Sequence, residues 1–101
     1  MIYFHATAAS CVAGIREHGL LANNRDYPTP RVYLAESWFD AYTIIRQKHD
    51  EMGVDDTIVV LTVNACDDWN LIPDEDCDCP AFYVEHDIPA RRLSFPTNDD
   101  E

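Results

Sequence analysis

The chain has 101 residues, with 19 Asp and Glu against 7 Lys and Arg, a formal net charge of −12 at pH 7. That length permits one domain with one core, and 47% apolar with 11% aromatic residues is enough to build it. The acidic excess excludes a surface uniformly suited to nucleic-acid phosphates and disfavours an anionic membrane, because both need a basic footprint.

The charge is unevenly placed. Residues 1–49 carry four acids (Glu17, Asp26, Glu36, Asp40) and five bases (Arg16, Arg25, Arg31, Arg46, Lys48), a balance of +1. Residues 50–101 carry fifteen acids against Arg91 and Arg92, a balance of −13. No segment reaches the roughly 18 consecutive apolar residues a membrane span needs. Met1-Ile2-Tyr3-Phe4-His5 lacks the basic and continuously apolar regions of a signal peptide, so a cytoplasmic location is expected. The four cysteines (Cys11, Cys66, Cys77, Cys79) are then expected to stay reduced.

In chain order, Ile2–Ala6 is rich in β-formers and predicts a short strand. Thr7 is placed to cap a helix over Ala8–His18, with Ala8, Cys11, Val12 and Ile15 on one face and Gly19 ending it. Asn23–Pro30 holds two Asn, an Asp and two Pro, and predicts a loop. Arg31–Ala35 predicts a second strand. Ser37 then caps a helix reaching Met52, with Trp38, Ala41, Tyr42 and Ile45 on its apolar face and Gly53 after its end. Thr57–Val63 is a nearly continuous apolar run, as in a central strand covered on both faces. Cys66–Asp78 predicts an acidic loop, and Phe82–Glu85 and Arg91–Phe95 two closing strands. The expected architecture is α+β, a single compact domain over residues 1–97 with a strongly bent, split sheet and helices on one side. Asn98–Glu101 reads as a frayed acidic tail.

Three short motifs carry chemically useful groups: Tyr3-Phe4-His5-Ala6-Thr7, Arg31-Val32-Tyr33-Leu34-Ala35, and Leu71-Ile72-Pro73-Asp74-Glu75-Asp76. Taken singly, each has a plain structural reading: a strand-end imidazole bonding backbone, a strand tyrosine packing across the sheet, a solvated acidic loop. Alternation puts Arg31, Tyr33 and Ala35 on one strand face. Metal chemistry is not expected. Cys77 and Cys79 form C-x-C with no matched second pair. Asp74, Asp76 and Asp78 lack the glycine and glutamate of a calcium loop. With three glycines (Gly14, Gly19, Gly53), no P-loop or dinucleotide G-x-G-x-x-G is present, so any dinucleotide site is of another kind.

Taken together and in order, these segments resemble the ADP-ribosyltransferase superfamily in its minimal His-Tyr-acid form. The pattern is a Phe-His-x-Thr strand end, a helix ending Glu17-His18-Gly19-Leu20, the Val-Tyr-Leu-Ala strand, an apolar strand, Leu-x-Pro-Asp, and a closing Phe-Tyr-Val…Asp-Ile-Pro…Arg-Leu. It is similar to the rifampicin ADP-ribosyltransferases, the RNA 2′-phosphotransferases and small phage and toxin relatives, over roughly Tyr3 to Phe95. The resemblance implies NAD as co-substrate, with ADP-ribose passed to an unidentified acceptor: a protein, a nucleic acid or a small molecule. It implies that His5 and Thr7 bind the nucleotide sugar and that Tyr33 stacks on the nicotinamide. It also implies a carboxylate stabilising the cationic transition state: Asp74 by position, with Glu75, Asp76 and Glu85 as alternatives. Pyrophosphate needs local cations, for which Arg16, Arg25 and Arg31 are available, with Arg25 and Arg31 the better placed. If the chain is phage-encoded, the location becomes the host cytoplasm.

One departure is informative. The usual His-Gly-Thr is His5-Ala6-Thr7 here, and the added methyl crowds a place where backbone and dinucleotide approach closely. That motivates two alternatives on the same fold: a non-catalytic binder of ADP-ribose or NAD-type ligands, and a handler of RNA 2′-phosphate. A third, from another class, is an acidic interaction protein that mimics nucleic acid and engages a basic partner through residues 50–101.

Overall fold

The computed structural model describes residues 1–22, 31–73 and 81–96, and its elements follow from local sequence chemistry. Strand β1 spans Ile2–Ala8, and a 3-10 turn at Ala9–Cys11 leads into the short helix α1, Val12–His18. Thr7, expected as a helix cap, instead lies within β1 and is buried. The turn is tied down by the Ala9 amide, which donates to the Thr57 carbonyl over 2.7 Å. Strand β2 is Val32–Ala35. Helix α2, Trp38–Met52, begins where Ser37 Oγ accepts from the Asp40 amide at 3.1 Å, and ends at Gly53 in the left-handed region (φ 70°, ψ 25°). Strand β3 is Ile58–Asn64, β4 Ile72–Pro73, β5 Ala81–Val84 and β6 Leu93–Ser94. Pairing of Ile72 with Tyr83 and Pro73 with Phe82 adds β4 where a loop was expected.

All six strands form one antiparallel sheet in the order β4-β5-β2-β1-β3-β6. The apolar strand β3 is therefore fifth in the sheet, beside β1 along its whole length and beside β6 at Thr62 and Val63. Its burial on both faces comes from the two layers above and below, so a continuous apolar run marked two-sided cover and not a central position.

Those layers also correct the expectation of helices on one side. Tyr3, Leu34, Leu61, Val63, Val84 and Ile88 form one apolar cluster, against which Ile15 of α1 packs. Ala35 and Val60 form another with Ala41 of α2, joined by Phe4, Ala6, Tyr42 and Ile44. Tyr3 and Phe4, Leu34 and Ala35, and Val60 and Leu61 are neighbours in sequence, so strand alternation sends them to opposite faces. The helices accordingly cover opposite faces. Leu34, Leu61, Ile88, Val63 and Val84 are the largest side chains fully removed from solvent, each worth about 1.5–3 kcal/mol of burial.

One pairing in the sheet is incomplete. Seven register pairs join β1 to β3, from Ile2↔Asn64 to Ala8↔Ile58, and four join β2 to β5, from Val32↔Val84 to Ala35↔Ala81. Between β1 and β2 the described register is the single pair Phe4↔Ala35. Beyond it, β1 continues with β3 and β2 with β5, so the sheet divides into two wings.

Candidate functional site

The division of the sheet opens a cleft of about 580 Å³. Its walls include Phe4, His5, Ala6 and Thr7 of β1, Arg31 to Ala35 on and beside β2, residues of α1, and Ala41, Ile44, Ile45 and Lys48 of α2. Four consecutive residues of β1 line it, although alternation points them to both faces of the sheet. That is the consequence of a neighbouring strand having moved away.

His5 spans the gap. Its Nδ1 lies 2.7 Å from the Tyr33 carbonyl oxygen. A carbonyl can only accept, so Nδ1 carries the proton and Nε2 is left as an acceptor. The imidazole is half-buried by surface area, yet it is packed closely enough that desolvation pushes its pKa below the ordinary 6.5. The bond to Tyr33 opposes that shift, and the positive charge of Lys48 reinforces it. At neutral pH the ring is uncharged, and Nε2 can accept from a hydroxyl. Thr7, 8% exposed, lines the cleft two residues along the same strand face.

Tyr33 is held from several sides. Arg31, two residues before it on the same strand face, donates from Nη1 to Tyr33 Oη at 3.1 Å. Tyr83, its register partner on β5, sits 5.8 Å away ring to ring at 57°. The Arg31 guanidinium lies 4.3 Å above the Tyr83 ring, and Lys48 Nζ is 6.0 Å from the Tyr33 ring centre. Strand alternation and the β2–β5 register therefore place two tyrosines and a guanidinium together.

His5, Thr7, Arg31 and Tyr33 thus meet in one cleft. Arg16 instead lies over the Phe95 ring at 4.4 Å, away from the cleft wall. Glu85 follows the last residue of β5; continuing the Val32↔Val84 register places it across from Arg31, but it is exposed and outside the cleft wall. Arg25, Asp74, Glu75 and Asp76, with Cys77 and Cys79, lie outside the described residues.

Sequence reasoning missed Lys48, His18 and Cys11, which also line the cleft. Lys48 had a legible signal: Ala41, Ile45 and Lys48 fall at i, i+4 and i+7, one stripe of α2. Among the described lining residues are Arg31, Lys48, His5 and His18, and neither Asp nor Glu. In a chain of net charge −12, the described part of this wall carries basic groups and no acidic one. Among the described residues no three His, Cys, Asp or Glu side chains gather as a metal site, and no helix is long and apolar enough to cross a membrane.

No protein-family model matches the chain, and no curated protein matches it.

Proposed function

We propose that the cleft binds an NAD-type dinucleotide and that the protein is a small mono-ADP-ribosyltransferase-like protein. The observation that supports this reading is the meeting of His5, Thr7, Arg31 and Tyr33 where β1 and β2 part. Neutral His5 Nε2 accepts from a ribose hydroxyl, and the aromatic face of Tyr33 takes a ring. The bond between nicotinamide nitrogen and ribose C1′ breaks, its electron pair leaving with nicotinamide. A nucleophile on the acceptor then bonds to C1′, and its proton passes to the carboxylate or to water. Asp74, Glu75 or Glu85 supplies the carboxylate that stabilises the cationic sugar.

The test is calorimetry with NAD, paired with an assay for nicotinamide release in the presence of a cell lysate. Micromolar binding lost in Tyr33→Ala, with release of nicotinamide, is the expected result. If neither NAD nor ADP-ribose binds, the reading is wrong.

A second reading, binding without turnover, is favoured by one feature. The Ala6 methyl occupies the cleft wall, and none of the described residues there is acidic. Binding with no nicotinamide release, with acceptor present, selects this reading over transfer.

A further inference from the structure

We infer that a second cleft, between α2 and the entry to β3, binds a cationic group that carries N–H donors, an alkylammonium or a guanidinium. The inference does not rest on the dinucleotide reading, because this cleft shares no lining residue with the one where β1 and β2 part.

The cleft holds about 310 Å³. Helix α2 contributes Tyr42, Arg46, His49 and Asp50, at i, i+4, i+7 and i+8 along one side, and the link to β3 adds Asp55 and Asp56. His49 carries the argument. It is 8% exposed and lines the cleft, yet its ring makes no hydrogen bond. Burying a polar group without a partner costs about 1–3 kcal/mol, so such a group marks a place where a bound molecule completes the bonding. A neutral imidazole has one donating and one accepting nitrogen. The cleft is rich in carboxylate acceptors, so what it lacks is a donor.

The three carboxylates are not equivalent. Asp50 faces Arg46, with Oδ1 3.7 Å from Nε, and Arg46 also donates to Tyr42 Oη at 3.4 Å. Asp56 accepts from the Ser10 hydroxyl and amide, and the hydroxyl chiefly lowers its pKa below 3.8. The charge of His49 adds to that lowering, which puts the ring within electrostatic reach of Asp56. Asp55 is exposed and has neither a hydrogen bond nor an ion pair among the described residues. Three carboxylates against one guanidinium leave the wall negative, and the carbonyl end of the α2 dipole adds to that. Charge therefore selects a cation, and the imidazole selects one with N–H donors. Among the described residues no three His, Cys, Asp or Glu side chains gather closely enough to share a metal ion, so the occupant is an organic cation.

The experiment follows the Gly53 and Val54 amides by NMR while the full chain is titrated with agmatine, putrescine, the tripeptide Ala-Arg-Ala or choline. Agmatine and putrescine are expected to shift both amides saturably. Choline, a cation without N–H donors, is expected to bind about fivefold more weakly. His49→Phe keeps the ring's bulk without its acceptor and should weaken agmatine about tenfold, and His49→Gln should recover part of that. Asp55→Asn, at an exposed position, should weaken it about two- to fivefold. Asp68→Asn, an exposed acid outside the cleft, should leave it unchanged. Circular dichroism confirms that each variant is folded, and Asp55→Asn decides if His49→Phe is not. Tighter binding of the tripeptide than of agmatine assigns the cation to a partner polypeptide, and the reverse assigns it to a free amine; either supports the site. The site is overturned if agmatine moves neither amide, or if choline binds as tightly. It is equally overturned if folded His49→Phe binds agmatine like the unaltered chain, or if Asp68→Asn weakens agmatine as much as Asp55→Asn does.

Discussion

His5 and Tyr33 belong to strands that have already separated, yet the His5 imidazole donates to the Tyr33 carbonyl over 2.7 Å. A side chain thus takes up a backbone acceptor that a continuous ladder would have paired. His5→Ala removes that hydrogen bond and is expected to lower stability by about 1 kcal/mol. His5→Gln, whose amide can donate, recovers part of the loss. Urea unfolding followed by tryptophan fluorescence measures both, and equal stability of His5→Ala and the unaltered chain would rule out the bridge.

The same imidazole gives stability a pH dependence. Its folded pKa lies below 6.5, chiefly through desolvation. As pH falls below 6.5 the unfolded chain takes up a proton before the folded one, so stability declines until the folded pKa is passed. Above 6.5 both states are neutral and the contribution is fully present. Asp56, whose pKa is lowered from 3.8 by its bond from Ser10, acts in the same direction but in more acid solution. Unfolding midpoints between pH 7 and 5 should therefore fall in the native chain. In His5→Gln that slope should be shallower.

Tyr33→Phe keeps the ring and removes the acceptor that orients Arg31. Its affinity for ADP-ribose should drop about three- to tenfold, less than in Tyr33→Ala, which loses the ring as well. Calorimetry on the two variants orders these effects. A Phe variant as weak as the Ala variant would show that the hydroxyl, not the ring, carries the site.

Gly19 and Gly14 make opposite predictions. Gly19 has φ 77°, and a Cβ there would collide with the Ile88 carbonyl oxygen and press on the Ala90 amide nitrogen at 3.0 Å. The Leu20 and Ile88 backbones exchange two 2.8 Å hydrogen bonds at that point, so neither can withdraw freely. Gly19→Ala should cost about 2–4 kcal/mol. Gly14, inside α1 with nothing within 4 Å of a built Cβ, should gain about 0.5–1 kcal/mol on becoming Ala. Thermal midpoints of the two variants test both signs.

Ser37→Ala removes the side-chain acceptor for the Asp40 amide at the start of α2 and should cost about 1 kcal/mol. Ser37→Asp should retain most of the stability in the same denaturation experiment.

What was legible in the sequence was local. Ser37 and Gly53 bracket α2 because capping chemistry acts within a few residues. The Arg31/Tyr33 face follows from strand period alone. Alternation also puts Tyr3 and Phe4 on opposite faces, which implies that both faces of the sheet are covered. Gly19 was expected to end α1 and does; its ψ of −168° is not the left-handed cap conformation, and the reason for glycine is the backbone of Ile88, 69 residues away. Strand β4 was hidden because a two-residue strand has no period, and Pro73 argues against one. Of the cleft lining, His5, Thr7, Arg31 and Tyr33 lie in two motifs, whereas Lys48 is brought there by the placement of α2. The carboxylate candidates Asp74, Glu75 and Asp76 lie outside the described residues, and Glu85 is exposed and outside the cleft wall.

The solitary Phe4↔Ala35 rung has a mechanical meaning. The two halves of the sheet are joined by that rung, the His5 bridge, the contacts of α2 and the apolar packing that includes Tyr3 against Phe82, while every other strand boundary has at least two register pairs. The proposed ligand site and the strand boundary with the fewest register pairs among the described residues are therefore the same place. A molecule seated there acts as a crosspiece, and its binding energy appears as stiffness of the whole domain. Amide exchange in β1 and β2 should slow together when ADP-ribose is added, well beyond the residues it touches. On the proposed reading, occupying the cleft amounts to finishing the sheet.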